Sequence, residues 1–310
     1  MPVKHHGVLV IQVTMLKCGA MVIASLYDHH VADGYSTNLF ASSWANITRS
    51  EEPLIIPYLR PSVLNVRYPT HYTPTVANMF IPLSNLPSLP SDPGTKSDLD
   101  QDSLVSRVYY IKGDQIRKLQ QLASDIGYRR SKIVSFASFL WKITAKFLED
   151  SCHFDFMCNI AVPVDGRLRL SEGEGVEKQK LLAARLGNVV SMPFRGIQSK
   201  VEDQRPNVLI CRPFAENVKA LSIMLSSGLK FSLTDNMDFG WGKPVLILSH
   251  APATRTDCHV MPMASPINVE DWVVYMHLGK KHLDYLEERA GHVFKPLTPH
   301  YLKLSLSPRI

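Results

Sequence analysis

The chain has 310 residues, enough for one large core or two medium domains. Hydrophobic residues make up 45% and charged residues 20%, a balance that excludes disorder, collagen, coiled coil and low-complexity chain. The formal charge of +6 suits weak attraction of anions, but the basic residues are scattered without the interleaved aromatics of a nucleic-acid platform, so no nucleic-acid partner is expected.

Five cysteines are odd in number and lack paired zinc-ribbon spacing, which points to a reducing, cytoplasmic compartment. No apolar run reaches the roughly 20 residues needed to cross a bilayer, and no cleavage pattern follows residues 1–17, so no membrane partner is expected.

In chain order, residues 8–16 and 20–27 are rich in β-branched and apolar side chains and read as two strands inside a sheet. Leu39, Phe40, Trp44 and Ile47 then recur at helical spacing, which places a helix directly behind the turn His29-His30-Val31-Ala32-Asp33-Gly34. Prolines at 53, 57, 61, 69 and 74 make the next stretch irregular. Residues 82–102, rich in Pro, Ser, Asp and Gly, supply too few apolar side chains for a core. They set the expected organisation: a first domain over 1–90, a linker over 91–103 and a second domain over 104–310.

Beyond the linker, residues 105–111 read as a strand. Asp114 is positioned to cap a helix that buries Ile116, Leu119, Ala123 and Ile126. Ser135 opens a second helix whose Phe136, Phe139, Leu140, Ile143 and Phe147 need nothing but core packing. A strand is expected over 154–162, a loop over 171–177, a helix over 214–225 and a strand over 245–248. Residues 272–278 predict a strand occupied on both faces, and residues 280–290 a final helix. Strands and helices interleave throughout, an α/β arrangement.

Two compact groups can carry chemistry. In the His29 to Gly34 turn a neutral imidazole, with an ordinary pKa near 6.5, can take a proton from a hydroxyl and return one to a leaving group. Spacing leaves a structural role for both histidines open. His29, His30 and Asp33 offer possible metal ligands, yet adjacent histidines on a strand point apart and no His-Glu-x-x-His helix accompanies them, so no metal is expected. Asp33 can fix the local geometry by pairing with a basic residue, for which Arg167 is the candidate. The second group, Asp238, Phe239, Gly240, Trp241 and Gly242, followed by Lys243 and Pro244, is a rigid turn. Its Asp-Phe-Gly triplet is not a kinase metal loop, because no matching glycine-rich loop or His-Arg-Asp loop exists.

Taken together, His29 to Asp33 with Gly34 and Asp238 to Gly242 resemble the His-x-x-x-Asp-Gly and Asp-Phe-Gly-Trp-Gly motifs of the plant BAHD family of CoA-dependent acyltransferases. Gln12-Val13-Thr14, Cys18-Gly19, Trp44-Ala45 and Val164-Asp165-Gly166-Arg167 extend the resemblance, which runs from about Val8 to about Ala290. The resemblance implies two domains of chloramphenicol-acetyltransferase-like topology, mixed sheets with flanking helices and a tunnel between them. It implies His29 as catalytic base, Asp33 and its partner Arg167 with Gly34 as structural support, and Asp238 to Gly242 as a structural loop. Acyl-CoA is the implied cosubstrate with no tightly bound cofactor, and a small-molecule alcohol of plant specialised metabolism is the implied acceptor, with hydroxycinnamoyl transfer a candidate. An amine acceptor and a noncatalytic small-molecule-binding role are the alternatives, and a monomer is expected. The chain resembles a member lacking its first hundred or so residues, so the first domain is expected to be partial. Two departures stand out: Arg185-Leu186-Gly187-Asn188 replaces a family Tyr-Phe-Gly-Asn, and residues 230–237 hold no tryptophan.

Overall fold

The computed structural model describes residues 7–29, 31–53, 55–57, 80–82, 103–151, 157–163, 165, 209–211, 220–231, 236–249 and 258–304. β1 (Leu9–Met15) and β2 (Met21–Tyr27) pair antiparallel, with Leu9 opposite Tyr27 and Met15 opposite Met21. Alternation puts Leu9, Ile11, Val13, Met15, Met21, Ile23 and Tyr27 on one face and Val10, Val22 and Leu26 on the other.

The pair lies in a sheet, as its composition predicts. Among the described residues it is a sheet of two strands, with Val13, Met15 and Leu26 more than half exposed. Apolar residues on both faces give the segment the composition of a central strand, which is why it reads as one. Neither strand carries a charge or a proline, the devices that ordinarily blunt a bare edge. Val13→Lys is therefore expected to change stability by less than about 0.5 kcal/mol while lowering concentration-dependent aggregation, read by static light scattering.

α1 (Gly34–Thr48) follows as expected, but with a different buried face. Ser36, Ser42, Ala45 and Asn46 are buried, whereas Phe40 and Ile47 of the predicted apolar stripe are exposed. Small side chains let this face approach its neighbours closely, and the Asn46 amide donates to the carbonyl of Glu52 at 3.1 Å.

The short β3 (Phe80–Pro82) precedes β4 (Leu104–Ile111), α2 (Gly113–Leu122), α3 (Lys132–Ser151), β5 (Met157–Ala161), β6 (Leu209–Cys211) and β7 (Ala220–Leu225). β8 (Cys258–Ala264), β9 (Trp272–Gly279), α4 (Lys280–Ala290) and β10 (Lys295–Pro296) follow among the described residues. Six strands form one mixed sheet in the order β10-β4-β9-β8-β7-β5. β5, β7 and β8 run parallel, and β8, β9, β4 and β10 join antiparallel. β3 pairs with β6 and so ties the two halves across the proposed linker, of which only Ser103 is described.

β9 is occupied on both faces, as its alternation predicts. Trp272, Val274, Met276 and Leu278 pack with Ile116 and Leu119 of α2, Phe136 and Leu140 of α3, and Leu283 and Leu286 of α4. Val273 and Tyr275 point the other way, into a second cluster with Met261 and Met263. At the head of β9 the buried Asp271 carboxylate accepts from the Gly113 amide at 2.9 Å, and from the Lys112 ammonium and the Tyr301 hydroxyl at 3.0 Å each. That one side chain pins the start of α2 and the C-terminal turn to the sheet.

Four element boundaries are corrected. α2 starts behind Lys112, with Asp114 inside its first turn, and ends at Leu122, so Ile126 is fully exposed rather than on a buried stripe. Reciprocal bonds between Asp125 and Tyr128 close a turn there and stop the helix. α3 opens three residues before Ser135, because the Ser131 hydroxyl accepts from the Val134 amide and so takes the capping position. Within the predicted helix over 214–225, residues 220–225 form β7; a short apolar run carries no period that separates helix from strand. Residues 245–248 form no strand, and Leu246 instead packs on the second cluster. The described parts of 154–162, 272–278 and 280–290 agree with expectation, while the expected loop over 171–177 lies outside the described residues. No helix among the described residues is long and apolar enough to cross a membrane.

Candidate active site

His29 lies on the turn that joins β2 to α1, and it is half-buried. The carbonyl of Asp28 accepts from the Val31 amide at 2.9 Å and from the Ala32 amide at 3.3 Å, which closes the turn around His29. The Asp28 amide in turn donates to the Val8 carbonyl at 2.9 Å, fixing the turn to the hairpin.

Asp33 is 3% exposed and is the N-cap of α1: its Oδ1 accepts from the Ser36 amide at 2.9 Å, and its carbonyl accepts from the Thr37 amide. A carboxylate there satisfies an otherwise orphaned helix donor and faces the positive end of the helix dipole. Asp33 thus sets where α1 begins, four residues after His29. Gly34 is the first residue of the helix, and a Cβ on it would lie 3.5 Å from the Phe231 ring. His30 and Arg167 lie outside the described residues, and the expected Asp33–Arg167 pair with them.

The second motif sits at the opposite end of the same helix. The Asp238 carboxylate folds its loop by accepting from the Gly240 amide at 2.8 Å and the Gly242 amide at 3.0 Å. Both glycines have left-handed backbone, at φ 98° and 96°, a region that side-chain-bearing residues adopt only under strain. Trp44 of α1 meets the Phe239 ring edge to face at 4.7 Å, and Phe239 stacks on the exposed Trp241. The Thr48 hydroxyl donates to the Phe239 carbonyl at 3.3 Å. Just past the helix, the Arg49 guanidinium donates to the Asp238 carbonyl, to Asn46 Oδ1 and to both oxygens of Glu51. Its hydrogen bond to Glu51 raises the Arg49 pKa and lowers that of Glu51.

The structure therefore joins the two motifs through α1, 15 residues and about 22 Å long. One motif caps its start and the other is clamped to its end. Asp238 to Gly242 stand about a full helix length from His29. Arg49 escaped the sequence reading: a basic residue after a helix is favoured by the dipole alone, and nothing in local spacing reveals a partner 189 positions downstream. Gly240→Ala is expected to cost about 1–3 kcal/mol through backbone strain, and Arg49→Gln to speed proteolysis within the loop; thermal melts and digestion time courses check the two.

A shallow groove lined by Arg117, Gln120, Gln121, Ser124 and Arg129 lies along α2 and the turn behind it, and none of the motif residues lines it. Its guanidiniums are already engaged, Arg117 by Glu270 at 2.6 Å and Arg129 by Gln120 at 3.0 Å. Among the described residues no group of three or more His, Cys, Asp or Glu side chains could hold a metal ion.

Comparison with known proteins bears on the family and the fold. The chain is 25% identical over 275 residues to a hydroxycinnamoyltransferase of Narcissus pseudonarcissus, covering 79% of this chain and 61% of that protein. It is 22% identical over 314 residues to the shikimate O-hydroxycinnamoyltransferase of Nicotiana tabacum, covering 92% of this chain and 70% of that one. The chain thus spans between six and seven tenths of the length of these relatives. The crystal structure of F. graminearum TRI101 with coenzyme A and deoxynivalenol superposes with a TM-score of 0.63 at 13% identity, covering 92% of this chain and 68% of that one. That likeness establishes the two-domain α/β fold, a mixed sheet flanked by helices, of the chloramphenicol-acetyltransferase type. With the Transferase family model matching residues 1–221 and 195–293, this chain belongs to that family, the BAHD-like plant CoA-dependent acyltransferases.

Proposed function

We propose that the protein transfers an acyl group from acyl-CoA to the hydroxyl of a small-molecule acceptor, with His29 as general base. The observation that carries this reading is the placement of His29 on a turn fixed at both ends, by the Asp28 amide on the hairpin and by the Asp33 cap on α1. A base held this way loses little entropy when it meets a substrate. The names of the relatives, both hydroxycinnamoyltransferases, support a hydroxycinnamoyl thioester as donor.

In the proposed step the neutral imidazole removes the acceptor hydroxyl proton as the oxygen attacks the thioester carbonyl. A tetrahedral oxyanion forms, its collapse breaks the carbon–sulfur bond, and the imidazolium returns the proton to the leaving thiolate. Ester and free CoA are the products, and the base ends neutral. Asp33, Gly34, Arg167 and Asp238 to Gly242 support the site without touching the reacting atoms. Arg167 is proposed to hold Asp33, and the domain boundary is proposed at residues 91–103.

The test is incubation of the purified chain with hydroxycinnamoyl-CoA and a panel of alcohols and amines, with thiol release followed by colour and products weighed by mass spectrometry. Acceptor-dependent thiol release with an ester product is expected. Thioester binding without turnover would instead assign the chain a noncatalytic role, and an amide product would change the acceptor class.

A further inference from the structure

The turn between α2 and α3 gathers exposed apolar side chains and positive charge, and the proposed transfer step uses neither. Leu122 at the end of α2 is 84% exposed, Ile126 on the turn is exposed in full and Tyr128 is 60% exposed, three large side chains within seven residues. Val134, in the first turn of α3, is exposed as well. Single exposed apolar residues are ordinary, whereas several at one turn mark a contact surface.

The turn is held in place by hydrogen bonds. The buried Gln120 side chain donates to the Arg130 carbonyl at 2.6 Å and accepts from the Arg129 guanidinium at 3.0 Å. The Ser124 hydroxyl accepts from the Arg130 amide at 3.1 Å, and the backbones of Asp125 and Tyr128 bond reciprocally. Gly127 takes left-handed backbone, at φ 83°, which lets the chain reverse directly after Ile126. These contacts tie the turn to α2 and keep Ile126 in solvent. Charge is concentrated on the same stretch: residues 117–132 hold Arg117, Lys118, Arg129, Arg130 and Lys132 against one acid, Asp125. Arg117 is paired with Glu270 and Lys118 reaches Asp114, but Arg129, Arg130 and Lys132 have no carboxylate partner among the described residues. The Arg130 guanidinium lies 4.5 Å from the centre of the Tyr128 ring, so positive charge stands directly beside the apolar group.

We propose that this turn docks the protein on an anionic lipid surface, with Leu122, Ile126 and Tyr128 entering the headgroup layer and Arg129, Arg130 and Lys132 meeting the lipid phosphates and carboxylates. Such contact is peripheral and needs no spanning helix, so the lack of an apolar run long enough to cross a bilayer does not bear on it. A lipid surface suits these residues better than an acidic protein. A protein partner must offer an apolar socket shaped for Ile126 inside a ring of acids, whereas a fluid leaflet supplies apolar depth beneath negative charge wherever the turn lands. The helix layer that bears the turn packs on one face of the large sheet, and Phe231, which meets Gly34, packs on the other. Docking therefore leaves the His29 turn clear of the lipid. Lipid binding does not depend on the transfer reaction, so either can fail alone.

The test is sedimentation of the full chain with vesicles of phosphatidylcholine alone and of phosphatidylcholine mixed with phosphatidylserine, each at low and high salt. Binding to the mixed vesicles is expected, weakened by salt as exposed charges are screened, with little binding to phosphatidylcholine alone. Lys132→Gln should weaken it by about fivefold, the usual worth of one basic residue near an anionic leaflet, and Ile126→Ser by about threefold to tenfold through lost apolar burial. Neither side chain makes a hydrogen bond or an ion pair among the described residues, so both melting temperatures should match the parent's. Equal binding to the two vesicle types, or none to either, overturns the proposal. Salt-sensitive binding that Ile126→Ser leaves unchanged overturns it too, since charge alone would then account for the contact. Retention on immobilised polyglutamate as tight as on the mixed vesicles would reassign the turn to an acidic polypeptide.

Discussion

His29→Ala is expected to lower kcat/KM for acyl transfer by about 10²–10⁴-fold, the usual worth of a positioned general base, while leaving the fold intact. The reasoning is local. The contacts that hold the turn come from the backbone of Asp28, Val31 and Ala32 and from the Asp33 carboxylate, none of which the substitution removes. The circular dichroism spectrum and melting temperature should therefore stay close to those of the parent. The pH profile supplies a second readout. A neutral base gives an acid limb in kcat/KM, lost in the variant, whose residual rate should no longer fall as imidazole protonates. Residual turnover above a tenth of the parent rate, with the acid limb still present, would sink the assignment. Asp33→Ala makes a useful contrast, because it removes the helix cap and should lower both the melting temperature and the rate.

How much of this was legible beforehand depends on how far apart the interacting residues lie. The hairpin, the helix behind the histidine turn, both faces of β9 and α4 follow from alternation and period within single segments. What the sequence hid is set by neighbours. Ile126 is one turn beyond Leu122 on a continued helix, and only the Asp125–Tyr128 turn removes it. Residues 220–225 are a strand because β5 and β8 flank them, not because Leu-Ser-Ile-Met prefers it. α1 inverts its stripe because small residues suit close packing, leaving Phe40 to meet Tyr27 at 6.1 Å on its outer side. At the site, the two motifs were readable one at a time, but their attachment to opposite ends of one helix was not. That link runs through Thr48, Arg49 and the Trp44–Phe239 ring contact, and each partner is nearly 200 positions away in sequence.

The helix layer behind the sheet should give the protein a specific weakness in acid. His282 of α4 is 2% exposed, stacks on Phe147 of α3 at 4.7 Å and shares a 3.1 Å hydrogen bond between Nε2 and the Thr144 hydroxyl. Burial pushes its pKa down from 6.5 to about 4. In the unfolded chain the imidazole protonates near 6.5, whereas in the folded chain it stays neutral until about 4. Across that window the unfolded state binds the extra proton, so stability falls with falling pH. Two and a half pH units correspond to about 3 kcal/mol, present in full above pH 6.5 and lost by pH 4. His282→Gln keeps an amide for Thr144 and removes the titration. At pH 7.5 it is expected to be somewhat less stable than the parent, but between pH 6.5 and 4 its urea midpoint should fall much less steeply. The remaining titrating groups are common to both proteins and cancel in the difference. Parallel stability curves over that range would mean that His282 takes up its proton equally in both states, and that the packing of α4 on α3 does not hold it neutral.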